Sequence, residues 1–423
     1  MRKLNFINFK YHPKKDLICL FKIVPNRISI KEAANTVALE SSVGTWTDVA
    51  KGKSDYVEKI KAKVFSIRRN RVKIAYPQEL FEYDNVPNIL SSIAGNIMGM
   101  KAVKSIRLED VSFPKSIIKS FSGPKYGIKG IREMMKIKKR PLVGTIIKPK
   151  LGLNTQHHAQ SAYESWIGGC DIVKDDENLS SQKFNTFEKR LAKTLEMADK
   201  AEKETGEKKA YLVNVTAETK EMLKRAQLAE KMGSKYIMID ILTAGWAALQ
   251  TLREANFKLA IHAHRAMHAA FDRNPKHGIS MMVIADFARL IGVDQIHIGT
   301  GIGKLEGKIK NIKEIKEDIE KNQVKKGHDR LKQNWYNLNS TLGVSSGGLH
   351  PGHIPFLIKN LGKDLVIQAG GGVHGHPFGT EAGAKAMRQA VDAVMKKTSL
   401  NEYAKTHVEL EQAISQWGLP KNK

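Results

Sequence analysis

The sequence has very few cysteines, no long hydrophobic run and too few acidic residues to balance its basic ones. Only Cys19 and Cys170 occur among 423 residues, which excludes a disulfide framework and favours a reducing compartment. No apolar run is long enough to cross a bilayer, and the residues after Met1 lack the apolar core of a signal peptide. We therefore expect a cytoplasmic protein with no membrane partner.

The shortage of acidic residues leaves a large positive charge. Lys and Arg number 70 against 43 Asp and Glu, a formal net charge of +27, which would attract any polyanion. The lysines are spread over nearly every helical stretch, and no Cys/His finger or aromatic RNA-binding signature is present. An anionic small substrate explains the charge more simply, so no nucleic-acid partner is expected.

The length supports two domains with large cores. Over residues 1–122, β-like runs alternate with amphipathic segments, which predicts a small α+β (ferredoxin-like) domain. The β-like runs are Leu17–Val24, Tyr56–Ile67 and Val72–Pro77, and the amphipathic segments are Ile30–Glu40 and Val86–Ile97. Turn-forming residues from Ser120 to Lys125 place the boundary there, so residues 123–423 form the second domain.

In the second domain, eight strand-like runs alternate with eight helical patterns, which indicates a TIM (β/α)8 barrel. The predicted strands are Leu142–Lys148, Cys170–Lys174, Tyr211–Thr216, Tyr236–Ile241, Leu259–His264, Gln295–Gly299, Gly343–Ser346 and Leu365–Ala369. The predicted helices are Gln156–Ile167, Thr186–Glu204, Lys220–Met232, Ala247–Asn256, Ile279–Ile291, Asn311–Lys332, His353–Leu361 and Glu381–Met395. The active site of this fold lies where the strands end.

Charged residues gather at the end of the second predicted strand. Lys174 and Asp176 share a face by the two-residue period, and Glu177 follows where the strand turns out. A neutral lysine amine can add carbon dioxide and become a carbamate, so these residues could supply three oxygen ligands for Mg²⁺. The alternative is a solvated charge run.

Six of the eight predicted strand ends carry reactive or anion-binding residues. They are Lys148 and Lys150 (first strand), the Lys174 group (second), His262 to Arg265 (fifth), His297 with the loop Gly299–Gly307 (sixth), Ser345 to Gly348 (seventh) and Gly370 to Gly372 (eighth). Glycines after the last two strands suit a phosphate. Simpler interpretations stay open: solvated lysines at 148, 150 and 304, and a zinc pair or a core histidine at His262 and His264.

These motifs together resemble the large subunit of ribulose-1,5-bisphosphate carboxylase/oxygenase (RuBisCO), from about Phe6 to Asp392. The resemblance rests on Thr145–Leu153, Gly168–Glu177, His262–His268, Gly303–Gly307, Ser346–Gly348, Glu40–Thr47 and Gly95–Asn96. It implies a Mg²⁺-dependent enzyme that enolises ribulose 1,5-bisphosphate, adds CO₂ or O₂, and in the carboxylation cleaves the product to two 3-phosphoglycerates.

The resemblance also implies roles for individual residues. Carbamylated Lys174 would bind Mg²⁺ together with Asp176 and Glu177. The catalytic residues would be Lys148, His264 and Lys304, and Lys150 would support Lys148. Lys148 is expected to be buried near other cations. The implied substrate-binding residues are Glu40, Thr45, Trp46, Asn96, Lys150, Arg265, His297, Ser346, Gly347, Gly348, Gly370 and Gly371.

In this family two chains share each site, so a homodimer is implied, with Glu40, Thr45, Trp46 and Asn96 reaching into the partner's barrel, and rings of dimers are compatible with it. The short segment after Lys397 and the lysine-rich stretch 308–337 are closer to archaeal-type members. Such relatives imply no small subunit and a role in AMP or nucleoside salvage.

Three other functions compete with the carboxylase. A RuBisCO-like enolase or isomerase would keep the metal site without carboxylation, but it could lose Lys304. An amidohydrolase-like barrel would carry its His-x-His pair on the first strand, whereas here the pair is on the fifth. A nucleic-acid binder would show a steep dependence of binding on salt.

Overall fold

The computed structural model describes residues 5–44, 55–303 and 307–420. The chain folds into two compact units. The first contains Met1–Gly123, Met267–Ile291 and Lys321–Leu338, and the second contains Pro124–Ala266, Gly292–Glu320 and Asn339–Lys423. The division into domains of residues 1–122 and 123–423 stays a prediction.

The first unit is built on a five-stranded sheet with the order Gly278–Ile279, Val103–Ser112, Asp16–Pro25, Arg71–Pro77, Lys63–Arg68. Its α-helices are Ile30–Glu40, Asp55–Ile60, Val86–Ile93, Lys115–Ser120, His268–Asp272 and Met281–Ile291, its 3₁₀ helices are Gln78–Leu80 and Asn96–Gly99, and Gln323–Val324 pairs with Gln333–Asn334. The four long strands are antiparallel neighbours, and the β-α-β-β-α-β succession is ferredoxin-like. Ser29 begins the first helix in a capping box with Glu32.

The second unit is a closed barrel of eight parallel strands, each paired with its neighbours along the chain. They are Leu142–Ile146, Ile172–Lys174, Ala210–Asn214, Tyr236–Asp240, Ala260–His264, Gln295–His297, Leu342–Ser346 and Val366–Gln368. The helices of this unit are Gly127–Met135, Thr155–Ile167, Phe187–Thr205, Thr219–Lys231, Ile241–Ala244, Trp246–Glu254, Ile309–Glu320, Ile354–Leu361, Gly371–His374, Gly379–Met395, Leu400–Ala404 and Val408–Trp417, with a 3₁₀ turn at Pro351–His353.

The barrel interior is a packed apolar core. Ile131 and Met135 of the helix before the first strand pack against residues from seven strands, among them Leu142, Tyr236 and Val344. The closed barrel of parallel strands and the separate five-stranded sheet with its helices confirm the predicted fold class, a TIM barrel preceded by an α+β domain.

Three predicted elements were wrong in part. The run Tyr56–Ile67 begins as the helix Asp55–Ile60, which has acidic residues in its first turn and a lysine in its last, an order that the helix dipole favours. The segment Val86–Ile97 breaks after Ile93. The predicted helix Asn311–Lys332 ends at Glu320, and its second half belongs to the first unit.

Within the described ranges, no helix is both long and apolar enough to cross a bilayer. Cys19 and Cys170 are both free and buried.

Candidate active site

The eight strands run in one direction, so their carboxyl ends meet at one mouth of the barrel. The second strand delivers Lys174, the fourth Asp240, the fifth His264 and the sixth His297. His264 contacts Asp240 and the ring of His297, and Glu177 lies between His264 and Lys174, so a continuous polar cluster results.

Lys174 is the most buried charged group of this cluster, with 0% of its surface exposed. Its Nζ donates to the carbonyl oxygen of Asp175 at 2.6 Å and lies 3.0 Å from Sδ of Met238. Glu177 Oε2 is 3.6 Å away. Burial lowers the pKa of Lys174, although nearby carboxylates oppose the shift. A larger share of this amine is therefore neutral at a given pH than in an exposed lysine.

Two carboxylates follow Lys174 in the chain and carry the negative charge of this cluster. Asp176 is 2% exposed, and its Oδ2 accepts a hydrogen bond from Lys148 Nζ at 2.6 Å. Burial would raise the pKa of Glu177, but the charges of Lys174 and His264 outweigh it and lower the pKa to about 2. Glu177 is thus ionised at neutral pH. Carboxylate oxygens with few competing soft donors fit a hard cation such as Mg²⁺.

His264 connects this group to the next strands. Its Nδ1 is 2.6 Å from Asp240 Oδ1, and its Nε2 is 3.6 Å from Glu177 Oε2. The carboxylate of Asp240 fixes the orientation of the imidazole, so Nε2 faces the charged cluster.

Asp240 and Asn214 were missed in the sequence, although they end the fourth and third strands. The side-chain amide of Asn214 donates to the carbonyl oxygens of Glu177 at 3.2 Å and Leu179 at 3.0 Å. The rule that strand ends carry the site would have found both residues.

The His-x-His pair does not form a zinc site. His262 is fully buried, with Nε2 2.9 Å from Nε2 of His297 and Nδ1 2.9 Å from Gln295 Oε1. Burial lowers the pKa of His262 to about 3 and the pKa of His297 well below its usual value. His262 and His297 therefore form a neutral, hydrogen-bonded pair, and His264 is the histidine that faces the mouth.

Of the two lysines after the first strand, Lys148 differs from expectation. The Lys148 side chain is 35% exposed and paired with Asp176, so the expectation that it is buried near other cations was wrong. The strand ends at Ile146, which leaves the lysine on the loop at the open mouth. Lys150 Nζ is 3.1 Å from Asn178 Oδ1.

The glycines after the last three strands differ in how closely other atoms approach them. A Cβ on Gly303 would lie 2.7 Å from the carbonyl oxygen of Gly347 and 3.1 Å from that of Gly348. A Cβ on Gly370 would lie 3.0 Å from Cε of Lys148, whereas Gly371 has nothing within 4 Å. The backbone is therefore accessible beside Lys148, as a bound anion requires.

The remaining predicted residues lie in different places. Arg265 follows the fifth strand and is 9% exposed, and Ser346 ends the seventh. Glu40 ends the helix Ile30–Glu40 and Asn96 begins the turn Asn96–Gly99, both in the first unit. Thr45, Trp46 and Lys304 lie outside the described residues.

Comparisons with known proteins agree with this geometry. The family model described as "Ribulose bisphosphate carboxylase large chain, catalytic domain" matches residues 127–417, and that for the N-terminal domain of the same chain matches residues 5–117. A ribulose bisphosphate carboxylase of Methanocaldococcus jannaschii is 49% identical over 425 residues, which cover 98% of this chain and 100% of that protein.

Two solved structures are also similar. The dimeric archaeal Rubisco of Hyperthermus butylicus has a TM-score of 0.93 and 49% identity, covering 98% of this chain and 99% of that one. The octameric Rubisco of Pyrococcus horikoshii, in complex with a sulfate ion, has a TM-score of 0.91 and 46% identity, covering 99% and 97%.

Proposed function

Because the chain belongs to the family of ribulose bisphosphate carboxylase large chains, we propose that it is an enolising carboxylase of ribulose 1,5-bisphosphate. It adds CO₂, or O₂ in competition. After carboxylation, a water molecule adds to the six-carbon product, and carbon–carbon cleavage gives two 3-phosphoglycerates. The observation that carries this proposal is the buried Lys174 with Glu177 Oε2 3.6 Å from its amine, at the strand end where this fold places its chemistry.

We assign Mg²⁺ to Asp176, Glu177 and a carbamate on Lys174. The lowered pKa of Lys174, caused by burial, favours the neutral amine that adds carbon dioxide, and the two carboxylates supply further oxygen ligands. Bound there, Mg²⁺ would act as a Lewis acid toward the carbonyl and hydroxyl oxygens of the sugar.

Lys148 and His264 are the proton-handling side chains of the proposal. Lys148 donates to Asp176 at 2.6 Å and is open to the mouth, so it can give a proton to a reacting carbon and take one back. His264 is held by Asp240 and presents its other nitrogen toward Glu177, suited to a substrate hydroxyl. Lys150, beside Asn178, supports the position of Lys148.

The two phosphates of the substrate are assigned to opposite sides of the mouth. Arg265, His297 and Ser346 bind one. The backbone of Gly347, Gly348, Gly370 and Gly371, with Thr45 and Trp46 of a second copy, binds the other. Glu40 and Asn96 of that copy complete the site, and Lys304 stabilises the new carboxylate.

The assembly proposed is a homodimer with shared sites and no small subunit. Similarity to a dimeric archaeal Rubisco supports the dimer, and similarity to an octameric one supports larger assemblies, which we propose to be rings of dimers. Residues 1–122 then contribute to the partner's site and residues 123–423 carry the barrel. A cytoplasmic role in AMP or nucleoside salvage completes the proposal.

Among the alternatives, the carboxylase is favoured over the RuBisCO-like enolase by full-length similarity to proteins named ribulose bisphosphate carboxylase. Counting product tests this. With CO₂ and Mg²⁺ present and O₂ excluded, two molecules of 3-phosphoglycerate should form per ribulose bisphosphate consumed. Consumption that yields an isomer and no 3-phosphoglycerate would contradict the carboxylase.

A further inference from the structure

Asp175 lies between the proposed metal ligands in sequence but points away from them into a dry polar network. It is 0% exposed. Its carboxylate accepts hydrogen bonds from Arg190 Nε at 3.1 Å, the Tyr211 hydroxyl at 2.5 Å and the backbone N–H of Asn214 at 3.0 Å. His158 Nε2 is 3.2 Å away. Four contacts hold one carboxylate that the proposed chemistry does not use.

Arg190 binds the segment beyond the ligands as well. From the helix Phe187–Thr205 it donates to the carbonyl oxygen of Asn185 at 2.9 Å and of Ser180 at 2.7 Å. Its guanidinium is 0% exposed, and removing it would leave the charge of Asp175 buried without its cation. One side chain therefore fixes the loop at three points.

We propose that Arg190 is a positioning residue: through Asp175 and the loop carbonyls it holds Lys174, Asp176 and Glu177 in the arrangement that binds the divalent cation. The role rests on the proposed function, because it presupposes a metal at these ligands. Outer partners of metal ligands typically contribute about 10- to 100-fold to metal affinity. Without Arg190, a smaller fraction of molecules has all three ligands in place, and the apparent dissociation constant rises in proportion.

The chain supplies a matched control at the other end of the same strand. Arg388 donates to the carbonyl oxygen of Gly169 at 3.1 Å and to Glu207 at 2.9 Å, and lies 3.7 Å from Asp171. It braces the strand Ile172–Lys174 from its amino end and contacts none of the ligand-bearing loop. The Arg388 side chain is 20% exposed against 0% for Arg190, so Arg388 tests whether loss of any arginine that holds this strand weakens metal binding.

The experiment is Mn²⁺ binding by the full chain in bicarbonate buffer, followed by electron paramagnetic resonance of the free ion. Only the Mn²⁺ binding that is lost in Asp176→Asn is assigned to the proposed metal site. We expect Arg190→Met to raise the apparent dissociation constant at least tenfold, Arg190→Lys to restore part of the affinity, and Arg388→Met to stay within about twofold of wild type.

The possible results separate the positioning role of Arg190 from the existence of the metal site. Wild-type affinity in Arg190→Met, or an equal loss in Arg388→Met, would overturn the positioning role while leaving the metal site intact. If the wild-type chain shows no Mn²⁺ binding that depends on Asp176, the metal site is wrong and the positioning role falls with it.

A smaller change covers the case in which Arg190→Met does not fold. Tyr211→Phe deletes one hydrogen bond to Asp175 and conserves the ring, so the affinity for Mn²⁺ should fall roughly fivefold. Unchanged affinity in Tyr211→Phe, with circular dichroism matching wild type, would contradict the proposal.

Discussion

At the scale of single residues, the site depends on Lys174, a lysine that is buried with carboxylates nearby. Burial gives Lys174 a larger neutral share than an exposed lysine has. While it is cationic, Lys174 helps His264 to lower the pKa of Glu177 to about 2, and a glutamate without that help is still ionised at neutral pH. The protonation states that the proposal needs, a neutral amine to react with carbon dioxide and an ionised carboxylate to bind a cation, are thus both accessible at neutral to mildly alkaline pH.

The first prediction concerns activation through Lys174. Preincubation with CO₂ and Mg²⁺ at mildly alkaline pH should raise carboxylase activity, because only the neutral amine reacts and its share grows with pH. Lys174→Arg should stay inactive however long it is preincubated, since a guanidinium does not form the carbamate. Full activity of Lys174→Arg would remove the carbamate from the account; trapping of labelled CO₂ on the protein gives an independent readout.

The second prediction separates late from early chemistry. Lys304 is proposed to meet charge that develops only after carbon dioxide adds, and losing such a contact costs about 10²–10³ in rate. Lys304→Ala should therefore fix CO₂ at least a hundredfold more slowly and still exchange the C3 proton of the substrate with solvent, as followed by NMR. A parallel fall in both rates would assign Lys304 to substrate binding instead.

The sequence predicted the lysines and histidines at the mouth because charged residues at strand ends are visible in a single chain. Asp240 and Asn214 escaped because one carboxylate or amide at a strand end is common. The network of Asp175 with Arg190, Tyr211 and His158 could not be predicted from the sequence. Its contacts join residues 15 to 39 positions apart and depend on how two helices and a strand pack around Asp175.

At the scale of elements, a polar cluster joins the helix Gly379–Met395 to the loop before the third strand. Glu207 binds Arg388 at 2.9 Å and Lys209 at 3.0 Å. Burial would raise the pKa of Glu207, but these cations lower it from 4.5 to about 2. A carboxyl group whose pKa is lower in the folded state than in the unfolded state stabilises the fold at pH values above its unfolded-state pKa. This contribution is lost as the pH falls through the folded-state pKa.

The third prediction follows from this dependence of stability on pH. Glu207→Gln should melt below wild type at pH 7, and the difference should shrink as pH falls from about 4.5 toward 2. Melting curves at several pH values measure it, and Glu204→Gln, on an exposed carboxylate of the preceding helix, serves as the control. A difference that is constant over this range would show that Glu207 acts by packing rather than by charge.

The barrel strands and most helices could be predicted because apolar runs bounded by turn residues recur at a regular interval. Errors arose where tertiary contacts outweigh local pattern. After Glu320 the chain leaves its lysine-rich helical pattern, and Trp335 becomes fully buried, with the Arg289 guanidinium 4.4 Å from its ring. The amphipathic pattern of the local sequence does not show that Trp335 will be buried against Arg289.

At the scale of the whole molecule, the proposed site needs two copies of the chain. Glu40, Thr45, Trp46 and Asn96 are assigned to one copy and the barrel residues to the other, as in a family with a dimeric archaeal member. A lone chain would then lack part of its substrate-binding surface.

The fourth prediction tests this sharing. Glu40→Gln and Lys174→Ala chains, each inactive alone, should regain part of the activity when mixed and refolded together, because each mixed dimer keeps one intact site. Refolding either variant with itself is the control. If heterodimers form, as native mass spectrometry would show, and no activity returns, these residues act within their own chain or elsewhere.

The central claim is that this chain makes a carbon–carbon bond to CO₂ and does more than enolise a sugar phosphate. The most direct measurement is incorporation of labelled bicarbonate into acid-stable product with ribulose bisphosphate and Mg²⁺, run beside exchange of the C3 proton on the same preparation. We predict label in 3-phosphoglycerate, together with proton exchange. Proton exchange without any fixed label would contradict the carboxylase and favour the enolase.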